Sequence, residues 1–260
     1  MNTIIKKILL LVVPILLASA CSTPTEKPST DSATADSVVF NLNNDSLRCY
    51  LNIAVAEPEL ALPVGEWIDE MLGGYFPGDA RQTQALTDFY GNALADTLRQ
   101  AASESFAGVP MEFEAKVEKV FETDKLVTYT LTNYYGLGGA HPSSGYYGAT
   151  FRKSDGRRLG WEIVRQYCHY GLTQLFAQQL KDYFGAESDD DLQQYIWEKY
   201  APYDLPDPQT PPIFTAEGIY FVYQQYEIAA YAMGMPDGTI AYDSIRPMLT
   251  GWAKQLIEGL

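Results

Sequence analysis

Hydrophobic and polar residues alternate with a strand-like period early in this chain and with a helical period soon afterwards. Val38 to Val55 alternates loosely and is rich in residues that favour β-strands, which predicts one or two strands. A helical period begins at Pro63, and a second helical stripe follows Asp79-Ala80-Arg81-Gln82, whose spacing is typical of a capping box. Gly91 lies inside this second stripe and predicts a kink, because glycine in a helix costs about 1 kcal/mol relative to alanine.

The middle of the chain has the clearest strand pattern. Apolar and charged residues alternate from Met111 to Val117, which predicts one buried face and one solvated face. The pattern resumes over residues 126–135 and 146–151, and Ser154-Asp155-Gly156-Arg157 is typical of a hairpin turn. We therefore predict three consecutive antiparallel strands.

Shorter elements follow in the C-terminal half. Helical spacing predicts a helix over residues 171–184, and Ser188 is suited to cap another helix. Strands are predicted at residues 219–223 and 228–231, before a last helix near residues 248–257.

The predicted helices and strands are segregated along the chain, which favours an α+β fold. We expect antiparallel sheets with helices packed on them, in two α+β lobes that comprise residues 38–156 and 157–260. Roughly 220 of the residues look able to fold, which suits two small lobes or one large domain.

The N-terminus has the pattern of a secretory signal. Lys6 and Lys7 precede an apolar run from Ile8 to Leu17, which is shorter than the roughly 20 residues that a membrane-spanning helix needs. Ala18-Ser19-Ala20 then precedes Cys21, which resembles a lipobox with alanine where leucine is more usual. We expect residues 1–20 to be a lipoprotein signal and Cys21 to carry the lipid; an ordinary signal cut near Ala20 is the alternative.

Residues 22–37 contain no large apolar side chain, so residues 21–37 are predicted to form a flexible tether. The expected location is the cell envelope, anchored to a bacterial membrane on its periplasmic side. No acidic run that would support export to the cell surface follows Cys21 directly.

The net charge narrows the classes of partner. The formal charge is −15, and without residues 1–20, which carry two lysines and no acid, it becomes −17. Such a chain repels nucleic acid phosphates and attracts basic proteins, so nucleic acid is excluded as a partner. The acidity is also explained if it only keeps an exported protein soluble.

Cys49 and Cys168 remain once Cys21 is assigned to the lipid anchor. An even pair in an oxidising compartment allows a disulfide, and buried free thiols are the alternative. No Cys-x-x-Cys motif occurs, which excludes a thioredoxin motif and a zinc ribbon.

No recognisable catalytic set is present, so the sequence predicts a protein that is not an enzyme and has no metal site or cofactor. His141, after Gly138-Gly139-Ala140, could exchange a proton or bind a metal, or make a structural hydrogen bond in a hairpin loop. His169 is interpreted as a packing residue. Ser143 and Ser144 lack the Gly-x-Ser-x-Gly context of a nucleophile.

The high tyrosine content is the remaining indication of a binding function, since the chain has 19 tyrosines. Tyrosines can anchor protein partners or stack on sugars, and they are also ordinary strand residues with one face buried. If a functional surface exists, we expect it where residues 138–147 meet residues 225–231. The candidate binding residues are Tyr135, His141, Tyr146, Tyr226 and Tyr231.

Two segments carry a resemblance to a known family. They are Asn-Tyr-Tyr-Gly-Leu-Gly-Gly-Ala-His-Pro at residues 133–142 and Gly-Ile-Tyr-Phe-Val-Tyr-Gln-Gln-Tyr-Glu-Ile-Ala-Ala-Tyr-Ala-Met-Gly at residues 218–234. Over residues 38–250 the chain resembles the paired extracytoplasmic domains of RsiV-like anti-sigma factors, which also accompany PdaC-like deacetylases. The resemblance implies two α+β lobes and no reaction, and in RsiV-like proteins this region senses lysozyme.

These observations favour a membrane-tethered envelope lipoprotein that acts as a non-catalytic binding or sensing module. Its expected partner is a lysozyme-like basic protein or a cell-wall glycan such as peptidoglycan. One alternative is a wall-directed hydrolase, or an accessory to one, with His141 as its acid or base. Another alternative is a structural lipoprotein without a small ligand.

Overall fold

The computed structural model describes residues 36–104, 110–200 and 204–260. The predicted signal segment, Cys21 and most of the predicted tether lie outside these residues. No helix in the described ranges is long and apolar enough to cross a membrane. The chain divides into two compact units, the first containing Leu137–Ala140 and the described residues up to Glu114, and the second containing Ala115–Gly136 and His141–Leu260.

The first unit is built from a hairpin, two helices and the start of a third strand. Strand β1 (Ser37–Asn43) pairs antiparallel with β2 (Leu47–Ala54), and the start of β3 (Met111–Glu122) lies on the other side of β2. The helices are α1 (Ala61–Leu72) and α2 (Thr83–Glu104). The hairpin turn is fixed by Asn44, whose side-chain oxygen accepts hydrogen bonds from the backbone of Ser46 and Leu47.

Helix α2 continues through Gly91 without a break, and the glycine has a packing role there. A Cβ atom at Gly91 would lie 2.3 Å from Cγ of Phe40 on β1. The Sγ atom of Cys49 on β2 also lies 3.7 Å from the carbonyl oxygen of Gly91. Gly91 therefore allows the hairpin to pack closely on α2.

The start of α2 lies three residues later than the capping-box pattern indicated. The carboxylate of Asp79 accepts hydrogen bonds from the backbone and side chain of Arg81, so it closes a local turn before the helix begins at Thr83.

Cys49 and Cys168 are free cysteines in this structure, and the disulfide that their number allows stays a prediction. Cys49 is fully buried on the inner face of the hairpin, and this burial raises the pKa of its thiol to about 11. Cys168 is half-buried and precedes the first long helix of the second unit.

The second unit contains the remainder of β3, followed by β4 (Leu126–Gly136) and β5 (Ser143–Arg152) in that spatial order. Strands β4 and β5 pair antiparallel from Leu126 opposite Arg152 to Tyr135 opposite Ser143. A second, antiparallel sheet has the order β6-β7-β8. Its strands are Ile213–Phe214, Gly218–Val222 and Asp237–Ala241.

Helices enclose this second sheet. They are α3 (His169–Phe184), α4 (Asp189–Gln193), α5 (Tyr242–Ile245) and α6 (Gly251–Leu256), with 3-10 helices at Trp161–Ile163, Gln166–Cys168, Tyr231–Met233 and Arg246–Met248. Phe176 of α3 packs on Phe221 of β7 with 4.6 Å between ring centroids, in a fully buried core. Ser188 caps α4 as predicted, accepting a hydrogen bond from the backbone of Asp191. The fold class is α+β, as the sequence predicted.

The strand predicted at residues 228–231 is wrong. Ile228 and Ala229 are buried, Ala229 forms an isolated bridge to Ile196, and a 3-10 helix begins at Tyr231. The cause is a turn that follows β7, in which the backbone N–H of Glu227 donates to the carbonyl oxygen of Gln224.

The division into units falls within β3, whereas the lobes expected from the sequence meet at residues 156 and 157. Thr150 on β5 explains why β4 and β5 belong with the C-terminal elements. Its buried hydroxyl lies 3.0 Å from the hydroxyl of Thr128, donates to the carbonyl oxygen of Pro212 and accepts from the N–H of Phe214. The bonds to Pro212 and Phe214 connect β5 to the segment of β6. They also satisfy the buried hydroxyl of Thr150, which makes this connection costly to break.

Candidate functional site

Three aromatic side chains, His141, Tyr226 and Tyr231, form a cluster on the surface of the second unit; we call them the aromatic cluster. The rings of His141 and Tyr231 are stacked, with 3.8 Å between their centroids and 24° between their planes. Tyr226 lies 5.8 Å from Tyr231 between ring centroids, and its hydroxyl is 3.3 Å from Nε2 of His141. His141 and Tyr226 are exposed, and Tyr231 is half-buried.

The carbonyl oxygen of Pro142 orients the aromatic cluster. The hydroxyl of Tyr231 donates to it over 2.8 Å, and Nδ1 of His141 lies 2.9 Å from it. A carbonyl oxygen only accepts, so Nδ1 carries a hydrogen, and Nε2 of the neutral ring then accepts from Tyr226. Burial raises the pKa of Tyr231, which keeps its hydroxyl a donor.

Two consecutive glutamine side chains attach the turn after β7 to β5. Oε1 of Gln225 accepts from the N–H of Ser144 over 3.2 Å. Oε1 of Gln224 accepts from the N–H of Tyr146 over 3.2 Å, and its Nε2 donates to the carbonyl oxygen of Tyr146 over 2.6 Å. The side-chain amide of Gln224 thus pairs with Tyr146 as a neighbouring strand would. It closes part of an edge that would otherwise expose backbone groups, because β5 is the outermost strand of β3-β4-β5.

Glu227 fixes the turn from inside. Its two carboxylate oxygens accept backbone hydrogen bonds from Gln209 and Gln224, each 2.7 Å long. Nε2 of Gln224 also donates to the hydroxyl of Thr210 over 2.9 Å. Burial raises the pKa of Glu227, and the two backbone hydrogen bonds oppose that shift. The aromatic cluster therefore stands on a turn held from several directions.

Tyr226 has an unusual backbone conformation for a bulky residue. Its φ angle is +67°, in the left-handed region, and it alone among the described non-glycine residues has a positive φ. Its side chain is 48% exposed, so burial does not compensate for this conformation. The left-handed region costs a non-glycine residue about 1–2 kcal/mol.

The other candidate residues lie outside the aromatic cluster. Tyr146 is half-buried, with its ring edge-on to Tyr220 at 5.6 Å, and burial raises its pKa. Tyr135 lies opposite Ser143 in the register of β4 and β5, on the other face of that strand pair from Tyr146. The structure thus brings together His141, Tyr226 and Tyr231. It adds Gln224 and Glu227, which sequence reasoning missed; their only signal was a pair of glutamines directly after a strand.

Neither ring nitrogen of His141 contacts Ser143 or Ser144 in the described structure, since Pro142 and Tyr226 occupy them. His169 lies 3.4 Å from a carboxylate oxygen of Asp207. Among residues 36–104, 110–200 and 204–260, no group of three or more His, Cys, Asp or Glu side chains is arranged to hold a metal ion. The arrangement offers ring faces and hydroxyl groups for binding.

The fold and this surface define an α+β protein of two compact units, one of which carries an exposed aromatic cluster. Residues 168–243 match the family model described as "Protein of unknown function (DUF3298)". The match includes Gln224, Tyr226 and Tyr231 and does not reach His141. A search of curated proteins found no match.

Two solved structures share the fold over most of the chain. A member of the DUF3298 family from Bacteroides fragilis NCTC 9343 is 18% identical, with a TM-score of 0.63, covering 86% of this chain and 96% of that one. A DUF3298 family protein from Pseudomonas aeruginosa PAO1 is 16% identical, with a TM-score of 0.59, covering 86% and 97%. At these identities the likeness concerns the fold alone.

Proposed function

We propose that this protein is a non-catalytic binding module, tethered by a lipid on Cys21 outside the cytoplasmic membrane, and that the aromatic cluster contacts its ligand. The observation that carries the proposal is Tyr226, an exposed tyrosine held in left-handed backbone on a rigid turn. A strained conformation persists only where its surroundings fix it, and such positions concentrate at functional sites. Glycine or asparagine would adopt this backbone at lower cost, so the ring itself is what the position provides.

The chemistry of the cluster suits a protein or a sugar. Tyrosine rings give apolar contact area with little loss of conformational entropy, and their hydroxyls satisfy polar partners. The charge of −15 favours a basic partner, and the resemblance to RsiV-like proteins supports one that is lysozyme-like. A cell-wall glycan is the other ligand that stacked aromatic rings can bind.

The test replaces Tyr226 by glycine and, separately, by asparagine. Both residues tolerate left-handed backbone, so we expect the free energy of unfolding to rise by about 1 kcal/mol in Tyr226→Gly. We expect the affinity for lysozyme to fall at least tenfold in both variants, because hot-spot tyrosines contribute about 2 kcal/mol or more. Urea unfolding and calorimetry with lysozyme at low and moderate salt measure the two effects.

Tyr167→Ala is the matched control, because Tyr167 is 77% exposed and lies outside the aromatic cluster. Its affinity should equal that of the wild type. Equal affinity in all variants would remove the cluster as the binding site. If the wild type does not bind lysozyme but does bind isolated peptidoglycan, the ligand is a cell-wall glycan. Turnover of muropeptides that is lost in His141→Ala would instead support the hydrolase alternative.

The tether is tested separately through Cys21. We expect Cys21→Ala to move the protein from the membrane fraction to the soluble fraction and to abolish incorporation of labelled fatty acid, because stable anchoring requires the acyl chains. Membrane fractionation and lipid labelling of cells that express each form provide the measurement. Unchanged labelling of the variant would contradict the anchor.

A further inference from the structure

Strand β1 is the outermost strand of the first unit. The hydrogen-bond pattern shows which of its residues direct their backbone N–H and C=O groups away from β2. The N–H of Asn44 donates to the carbonyl oxygen of Leu47, and the N–H of Val55 donates to that of Asp36. In an antiparallel pair, hydrogen-bonded and non-hydrogen-bonded pairs alternate. Residues 38, 40 and 42 therefore bond to β2, and Ser37, Val39, Asn41 and Asn43 direct their backbone groups away from it.

Within the residues that the structure describes, this edge shows none of the usual protections against pairing with another chain. Proteins blunt exposed edges with charged residues, prolines, bulges or covering segments. Residues 37–43 read Ser-Val-Val-Phe-Asn-Leu-Asn, without charge or proline, and pair with β2 in unbroken register. Val39 is 49% exposed, and no hydrogen bond to the outward backbone groups of Val39, Asn41 or Asn43 occurs in the described part of the chain.

The charge around β1 indicates what can approach it. Between residues 36 and 114 the chain has 13 acidic and 3 basic residues, a net charge of −10. Asp36 directly precedes the strand, and Asp45 lies in the turn that follows it. A second copy of the chain would bring an equal negative charge and be repelled, whereas a cationic segment would be attracted.

We propose that the β1 edge binds an extended, lysine- or arginine-bearing segment of a partner polypeptide by strand addition. Main-chain hydrogen bonds to Ser37, Val39, Asn41 and Asn43 supply affinity, and Asp36 and Asp45 select positive charge at the two ends of the segment. This surface belongs to the first unit and does not depend on the aromatic cluster, so each can be refuted separately.

The test adds the synthetic peptide Lys-Thr-Val-Thr-Val-Thr-Val-Lys to the full chain and follows backbone amide exchange by NMR. Binding should slow the exchange of the Val39, Asn41 and Asn43 amides at least tenfold. The amides of Val38, Phe40 and Leu42 already bond to β2 and should change little. The same peptide with glutamate in place of both lysines should bind at least tenfold more weakly.

Asn41→Pro removes one outward N–H without touching the ladder to β2, a position where an edge strand tolerates proline. It should weaken binding of the lysine peptide at least tenfold, whereas Asn41→Thr should not. Protection spread evenly over β1, or equal binding of the glutamate peptide, would overturn the proposal. Self-association that protects the same alternate amides would assign the edge to a second copy instead. The exchange pattern and the comparison of the two peptides are measured on the wild-type protein. The proposal can therefore be tested even if the Asn41→Pro variant does not fold.

Discussion

Replacing Gln224 with alanine is expected to lower the free energy of unfolding by about 2–4 kcal/mol, because it leaves partly buried backbone groups without their hydrogen-bond partners. The side chain of Gln224 accepts from the N–H of Tyr146 and donates to the carbonyl oxygen of Tyr146 and to Thr210. Among the strands of the described residues, none pairs with β5 on this side, so the alanine variant would also expose an edge. Urea unfolding measures the loss, and faster amide exchange at Tyr146 locates it.

Gln225→Ala is the matched control for this prediction. Gln225 makes one hydrogen bond to the backbone of β5, to Ser144, and one through its side chain to Tyr231, so its removal should cost about 1–2 kcal/mol and leave the backbone of Tyr146 satisfied. Gln224→Glu keeps the acceptor for the N–H of Tyr146 and loses both donors, and should fall between wild type and Gln224→Ala. A Gln224→Ala protein as stable as the wild type would show that the amide does not hold the turn to β5.

The second large effect is expected from one added methyl group in the first unit. Gly65 is buried in α1, and a Cβ atom there would lie 2.0 Å from the carbonyl oxygen of Ala80. The obstacle is backbone, which cannot rotate away as a side chain can. Gly65→Ala should therefore lower the free energy of unfolding by about 3 kcal/mol or more, although alanine favours a helix by about 1 kcal/mol.

Gly251→Ala makes the same change in open space. Gly251 begins α6, and a Cβ atom there meets no atom within 4 Å. Helix propensity then acts alone, and the variant should be as stable as the wild type or up to about 1 kcal/mol more stable. Thermal and urea unfolding of both variants provide the comparison. A Gly65→Ala protein that gains stability like Gly251→Ala would refute the close approach.

The fold class follows from the sequence because periodicity reports which face of an element is buried. The alternation from Met111 to Val117 and the helical stripe before Phe184 each correspond to an element of the structure. Periodicity gave a wrong prediction at residues 228–231, whose apolar residues favoured a strand. In the structure these residues follow a turn in which Glu227 is hydrogen-bonded to Gln224. A turn held by a buried carboxylate has no repeating pattern that could predict it.

The candidate site was only partly predictable for the same reason. Spacing along the chain singled out the segments around His141 and Tyr226 and led us to expect a surface where they meet, but it did not show which side chains hold them together. The contact between them depends on Gln224 reaching Tyr146 across 78 residues of sequence, a distance over which local patterns carry no information. The hydrogen bonds of Thr150 to Pro212 and Phe214 likewise join segments about 60 residues apart, where local patterns carry no information.

The rates at which the two cysteines are alkylated can report local unfolding of the first unit. Among the described residues, each unit carries one free thiol, Cys49 in the first and Cys168 in the second. Alkylating reagents attack the thiolate, and Cys49, buried and with a pKa raised to about 11, reacts only when the hairpin separates from α2. Cys168, which is half-buried, is reached without such an event. The alkylation rate of Cys49 therefore measures how often the first unit opens, and the alkylation rate of Cys168 serves as the internal reference. Both cysteines are native, so no probe residue has to be introduced.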